Sequence, residues 1–242
     1  MPTPPHSSSF PELSRRGMGV PVSPGDSLQD LAPAGQLAEE ELAETEHQAT
    51  AHFHEVANLL LGLSAKPVAE MAAVLRRTRQ QRGVFYLLGN GGSAATALHL
   101  ANDLSAMQPL GEPPLRAVCL NGNPSLFSAL ANDYGYEEVF SRQLKGRLQQ
   151  QDAVLAISAS GQSANCLRAL AYARSQGVTT LGLLGFDGGQ ARSLCDIHFL
   201  VPHPGYLPVE DIHMVACHAL SRVLRAAAGD SRGPNGVPEL DA

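Results

Sequence analysis

No run of apolar residues in this chain comes near the ~20 that a membrane-spanning helix requires, so no membrane span is expected. There is no block of Lys or Arg either. The 17 basic residues are scattered among 23 acidic ones and leave a formal charge of −6. A field of that sign does not attract nucleic acid or an anionic membrane surface. It does not exclude a small phosphorylated ligand, whose site can be made of backbone N–H groups and hydroxyls. Cysteine is scarce: Cys119, Cys166, Cys195 and Cys217, with no C-x-x-C pair. That argues against a zinc ribbon or a disulfide framework and for free thiols in a reducing cytoplasm. The opening MPTPPHSSSFPELSRRG has no basic stretch followed by an apolar one, so no secretory signal is expected.

What is present is an ordinary globular composition, 44% hydrophobic and 17% charged over 242 residues. This length suits one domain plus extensions. Residues 1–35 are rich in Pro, Ser and Gly and read as a disordered tail, and 229–242 read the same way. Between them, 36–228 form the domain. Residues 36–65 are free of Gly and Pro until their end and read as a helix, and a second helix is expected over 68–82. From residue 84 the pattern alternates. Short β-rich runs fall at 84–88, 116–120, 153–157, 179–184 and 197–201. Helices are expected at 94–107, 124–131, 137–150, 163–176, 189–194 and 208–227. The expected fold is therefore α/β: a five-stranded parallel sheet flanked by helices on both faces, of flavodoxin-like or Rossmann-like type, with an N-terminal helical extension. Ligands in such sheets bind beyond the carboxyl ends of the strands.

The loops at those ends carry the polar residues. The first strand runs into Gly89-Asn90-Gly91-Gly92-Ser93, where glycines allow close backbone approach and a helix start offers unpaired N–H groups. It is not a Walker loop, and it matches G-x-G-x-x-G only loosely. A dinucleotide site and a tight structural turn both remain open for it. After the third strand come Ser158-Ala159-Ser160-Gly161-Gln162-Ser163. One serine would suffice to cap the next helix; three hydroxyls around one helix start read better as a phosphate site. The turn Gly185-Phe186-Asp187-Gly188-Gly189 reads as structural. Asn132 and Asp133, at an expected loop before a helix, could cap it or meet a sugar hydroxyl.

His99 and Asp103, at i and i+4, share one helix face. The last helix carries Glu210 and His218, eight residues apart, and His213 off their line. Two His and two carboxylates would suit a divalent transition metal such as zinc. Nothing in the spacing shows that the two helices meet, and a helical histidine is more often not a ligand.

The segments GNGGSAATALHLANDL, NDYGYEEVFSRQL, ISASGQSANCLRAL, GFDGG and VPHPGYLPVEDIHMVACHAL, in this order, resemble the phosphoheptose isomerases, enzymes of the SIS-domain type. The likeness covers about residues 36–225. It implies a cytoplasmic homotetramer with active sites between subunits and a bound zinc. It implies conversion of sedoheptulose 7-phosphate to D-glycero-D-manno-heptose 7-phosphate in heptose biosynthesis. It implies substrate contacts at Asn90, Gly91, Gly92, Ser93, Asp103, Asn132, Asp133, Ser158, Ala159, Ser160, Ser163 and Glu210. The metal positions become His99, Asp103, Glu210 and His218. The expected chemistry is an aldose–ketose isomerisation through a cis-enediolate, with Asp103 as base and His218 as acid, or the two roles reversed.

Two positions depart from the family, which typically has Glu at Asp103 and Gln at Glu210. Asp sets its carboxylate back by about 1–1.5 Å, and Glu210 adds a charge. These departures keep a different phosphosugar open as substrate. Another alternative is a non-catalytic SIS-domain protein, either binding a replication initiator or regulating in response to a sugar phosphate. Retention of His99, Asp103 and His218 argues against the initiator-binding form, and the lack of a DNA-binding helix pair or basic arm argues against the regulatory one.

Overall fold

The computed structural model of the protein describes residues 39–107 and 113–228. The expected tails, 1–35 and 229–242, lie outside the described residues. The chain divides into two units, Met1–His47 and Gln48–Ala242. Of the first, the described residues are the opening turns of α1 (Glu39–Leu61).

The second unit holds the rest of α1 and all other elements: α2 (Lys66–Gln80), β1 (Val84–Gly89), α3 (Gly91–Ser105), β2 (Arg116–Cys119) and α4 (Pro124–Tyr134). After these come α5 (Val139–Leu144), β3 (Ala153–Ser158), α6 (Ala164–Ser175), β4 (Thr179–Gly185), α7 (Ala191–Leu194), β5 (Ile197–Val201) and α8 (Tyr206–Ala228). The five strands form one parallel sheet in the order β2-β1-β3-β4-β5. The order reverses between β1 and β3, and such a sheet opens a crevice at that point, beyond the strand ends.

Alternate residues of each strand feed two cores. Phe85, Leu87, Leu155 and Leu181 pack with Leu75 of α2, Leu100 of α3 and Ile212 of α8 on one face. Tyr86, Leu88, Val154 and Ala156 pack with Phe140 of α5 and Leu170 of α6 on the other. β1 and β3 are buried along their whole length, which is why they read as continuous apolar runs rather than alternating ones. Each fully buried Leu or Phe contributes about 2 kcal/mol. The edge strand β2 alternates between exposed and half-buried residues instead.

Three expectations are corrected. The helix expected over 36–65 ends at Leu61, where Gly62 follows, and α2 restarts with Pro67 in its first turn. The helix expected over 137–150 is a 3-10 turn, Tyr136–Glu138, followed by a short α5; it stops because Lys145 is extended and Gly146 has a φ of +75°. Asn132 and Asp133 do not precede a helix; they form the last turn of α4, which Gly135 ends at a φ of +90°.

Two histidine–carboxylate contacts fasten the later turns of α1 beside the start of α8. His52 Nε2 lies 2.8 Å from Asp211 Oδ2, and His203 Nε2 lies 3.1 Å from Glu55 Oε1. Among the described residues no single helix is long and apolar enough to cross a membrane.

Candidate active site

The turn after β1 is tight because its glycines leave no room for more. A Cβ on Gly89 would stand 2.6 Å from the Ser93 carbonyl oxygen. Gly91 has a φ of +53°, which a side chain would strain. A Cβ on Gly92 would overlap the carboxylate of Glu210, which α8 brings over the turn. From the β2 side Asn121 braces the same turn: its Nδ2 donates to the Gly89 carbonyl at 3.0 Å.

The serine loop faces this turn across the point where strand order reverses. Asn90, Ser93, Ser158, Ser160, Ser163 and Glu210 line a small cavity of about 130 Å³ there, with Tyr206 at its side. Ser158 Oγ accepts from the Gly161 N–H at 3.1 Å, and Ser160 Oγ accepts from the Gln162 N–H at 3.3 Å. Ser163 stands at the N-terminus of α6 without capping it through its side chain. Its hydroxyl and the first N–H groups of α6 are thus arranged for an anion. The second glycine turn holds this loop from behind. A Cβ on Gly161 would overlap the Gly188 carbonyl, and one on Gly189 would stand 2.6 Å from the Ser160 oxygen. Ala191 N–H donates to the Gly161 carbonyl at 3.0 Å. The structural reading of the segment 185–189 therefore has a specific content: it sets the height of the serine loop.

Asn132 and Asp133 are exposed and hydrogen-bond each other, Nδ2 to Oδ1 at 2.9 Å. The 3-10 turn that follows α4 reaches the glycine turn through Tyr136, whose hydroxyl donates to Asn90 Oδ1 at 2.8 Å. Arg168 on α6 ties the same turn by an ion pair to Glu138. Hydrogen bonds from Ser141 and Arg168 pull the Glu138 carboxyl down to about 2.

His99, Asp103 and His218 come together, because α3 and α8 pack side by side. His99 Nε2 lies 2.9 Å from His218 Nε2 and 3.6 Å from Asp103 Oδ2. The two rings meet edge to face, with centroids 4.9 Å apart. Ser221 Oγ approaches Asp103 Oδ2 at 3.5 Å, and Arg225 donates to the Asp103 carbonyl at 3.2 Å. All three donor atoms lie within 4.8 Å of one another. In a tetrahedral site with ~2.05 Å bonds, donors stand ~3.3 Å apart; the two measured separations fall on either side of that value. Two imidazoles and one carboxylate facing one point, half-exposed on one side, fit a divalent ion with an open position.

Glu210 stands apart from this trio. It lies eight residues before His218, roughly 12 Å along the helix axis, and its carboxylate lines the serine-loop cavity instead. His213 faces the core. Its ring is 1% exposed and neither nitrogen closes a hydrogen bond. Burial pushes it down to about 4, opposed by the Leu184 backbone nearby. All four cysteines are free thiols. Burial pushes Cys217, one residue before His218, up to about 12, and the Asp103 charge adds to that shift.

Asn121, Tyr136, Asn165 and Ser221 were not among the residues expected from sequence. No sequence signal marks them: each is a lone polar residue whose partner lies on another element. The arrangement joins a helix start ringed by serine hydroxyls, a polar cavity beside the glycine turn and a cluster of two imidazoles and a carboxylate on two adjoining helices.

A family model described as SIS domain matches residues 51–185. The phosphoheptose isomerase of Trichlorobacter lovleyi is 41% identical over 154 residues, which is 64% of this chain and 79% of that protein. The phosphoheptose isomerase of Rhodospirillum rubrum is 36% identical over 167 residues, 69% of this chain and 89% of that protein. Among solved structures, a phosphoheptose isomerase from Neisseria gonorrhoeae aligns with a TM-score of 0.69 at 28% identity, covering 74% of this chain and 99% of that one.

Proposed function

The chain belongs to the SIS-domain family and, within it, to the phosphoheptose isomerases, and from that premise we infer that it converts sedoheptulose 7-phosphate to D-glycero-D-manno-heptose 7-phosphate in heptose biosynthesis. It is an aldose–ketose isomerase. The observation that carries the reading to the residues is the meeting of His99 and Asp103, on the helix that starts at the glycine turn, with His218 of α8.

The reaction moves a proton between two neighbouring carbons through a cis-enediolate. Asp103 takes the proton from the carbon beside the carbonyl and returns one to its neighbour. His218 donates to the oxygen on which charge develops and takes a proton back from the neighbouring hydroxyl as the new carbonyl forms. His99, in contact with both, and Ser221, beside Asp103, hold the pair in register. Ser158, Ser160, Ser163 and the α6 N-terminus take the phosphate, whose remote binding energy fixes the reacting end. Asn90, Gly91, Gly92 and Ser93 receive sugar oxygens, and Asn132, Asp133 and Glu210 close around the chain of hydroxyls. His99, Asp103 and His218 would hold a zinc ion, which supplies polarisation of the carbonyl and hydroxyl oxygens when bound. Glu210, turned to the sugar, is not needed for that set.

The active form in this reading is a homotetramer with sites between subunits. Exposed apolar side chains on the same two helices, Leu98, Val215 and Val223, support a partner there. The four free thiols support a cytoplasmic setting. The test is incubation with sedoheptulose 7-phosphate, with added zinc and with chelator, and identification of the product by NMR. Formation of the manno-configured heptose phosphate is expected, suppressed by chelator. Unchanged substrate in the presence of zinc overturns the reading.

A further inference from the structure

Asn90 has little of its amide left for a ligand. Its Nδ2 donates to Asn165 Oδ1 at 2.9 Å, and its Oδ1 accepts from Asn165 Nδ2 at 2.9 Å. The Tyr136 hydroxyl fills the second acceptor position of Oδ1 at 2.8 Å. The remaining N–H of Asn90 has only the Cys166 sulfur, at 3.9 Å. A carboxamide offers two acceptor and two donor positions, so the one strong position left to Asn90 is a donor.

The direction of this pair is fixed from outside it. Two facing carboxamides could pair in either sense if both turned over. The Cys166 backbone N–H, however, donates to Asn165 Oδ1 at 2.9 Å, and a backbone donor cannot reverse. That sets the Asn165 oxygen, which sets the Asn90 nitrogen opposite it. Asn165 is 1% exposed, so water does not compete for these bonds. Tyr136 acts on the same oxygen from the rim of the site, where its ring is half-exposed and rests on Phe127, with centroids 5.8 Å apart.

We propose that Asn165 and Tyr136 are positioning residues of the isomerase: together they lock the Asn90 amide so that it presents an N–H, and not a carbonyl, to the sugar. Asn165 sits two residues after Ser163, and Tyr136 follows α4 with its Asn132–Asp133 pair. The lock therefore also joins the three loops that enclose the substrate. The group of the substrate that meets Asn90 is accordingly an acceptor, a carbonyl or hydroxyl oxygen at the reacting end. This inference rests on the isomerase reading above.

Asn165→Asp is the sharpest test. It keeps the acceptor for the Cys166 N–H but faces the Asn90 oxygen with a second oxygen, which removes one bond of the pair, sets two oxygens against each other and unlocks the Asn90 amide. Tyr136→Phe removes one hydroxyl from a half-exposed ring and leaves the fold alone. Steady-state rates on sedoheptulose 7-phosphate and the inhibition constant of inorganic phosphate are measured for both variants. Loss of one ordinary hydrogen bond predicts a fall in kcat of about 3- to 10-fold for Tyr136→Phe. A larger fall, about 10- to 100-fold, is expected for Asn165→Asp. The phosphate constant should stay within about twofold, because the serine loop is untouched. Parent-like kcat in Tyr136→Phe overturns the proposal. So does a loss of phosphate affinity equal to the loss of kcat/KM, which marks a general structural role. Should Asn165→Asp fail to fold, Tyr136→Phe decides alone. A parent enzyme that leaves sedoheptulose 7-phosphate unchanged refutes the isomerase reading, not the lock; the variants are then compared on whichever phosphoketose the parent turns over.

Discussion

The two halves of the site are made in opposite ways. The half at the ends of β1 and β3, proposed above to hold sugar oxygens and the phosphate, is backbone against backbone: Gly89 on Ser93, Gly161 on Gly188, Gly189 on Ser160. Its side chains are largely buried or hydrogen-bonded within the protein. The half on α3 and α8, proposed above for the proton transfers, is side chain against side chain: His99 and Asp103 keep 44% and 24% of their side chains exposed. The first half is fixed by its own backbone contacts, the pre-organisation that the proposed phosphate recognition calls for. The second leaves donor atoms facing one another, an arrangement completed by something that neutralises them.

That contrast predicts where substitutions register. Asp103→Ala or His218→Ala should lower kcat by about 100- to 10,000-fold while the thermal midpoint stays near that of the parent, because His218 is exposed and Asp103 only partly buried. A parent-like rate in either folded variant would remove the acid–base assignment. Gly161→Ala should do the reverse of a pure activity change. Its φ of +61° and the Gly188 carbonyl behind it predict a loss of about 2–4 kcal/mol in stability. Phosphate affinity should fall with it; chemical denaturation and calorimetry read the two. Glu210→Gln belongs to the cavity and removes a negative charge from beside the phosphate. Inorganic phosphate should bind up to about fivefold tighter, the ~1 kcal/mol of a partly exposed charge interaction, with zinc affinity unchanged. A loss of zinc affinity would instead move Glu210 into the metal set.

The smallest effect is on pH. His213 has its folded value pushed from 6.5 down to about 4. Between those values the unfolded chain binds a proton that the folded ring refuses. Stability should therefore fall as pH drops from 6.5 toward 4. Glu138, lowered from 4.5 to about 2, adds a second loss as pH falls below 4.5. Denaturation midpoints between pH 7 and 3.5 measure the slope, and His213→Leu should flatten its upper part.

Much of the fold was legible because buried parallel strands write themselves as apolar runs. β5 has the expected bounds, and β1, β3 and β4 each extend one residue further, into the glycine or serine that opens the following loop. The break after Leu144 was not legible: the segment 137–150 has good helix formers, and only Gly146 marks the turn. The polar loops were legible from glycine and serine at strand ends. The convergence of His99 with His218 was not, since i, i+4 spacing says nothing about which helix lies opposite. Asn121 and Asn165 were missed for a related reason. A carboxamide that grips another loop has no sequence period, and its partner is 32 or 75 residues away.

The contact between the turns at Gly161 and Gly188 limits how this site can change over generations. A side chain at Gly161 would strike the Gly188 carbonyl and one at Gly189 would strike the Ser160 and Gly161 carbonyls, so neither loop can acquire one there unless the other withdraws, and substitutions at Gly161 and Gly189 are coupled. The serine loop is thus not a portable cassette: grafted onto another sheet without its companion turn, it would lack the surface that gives it its shape.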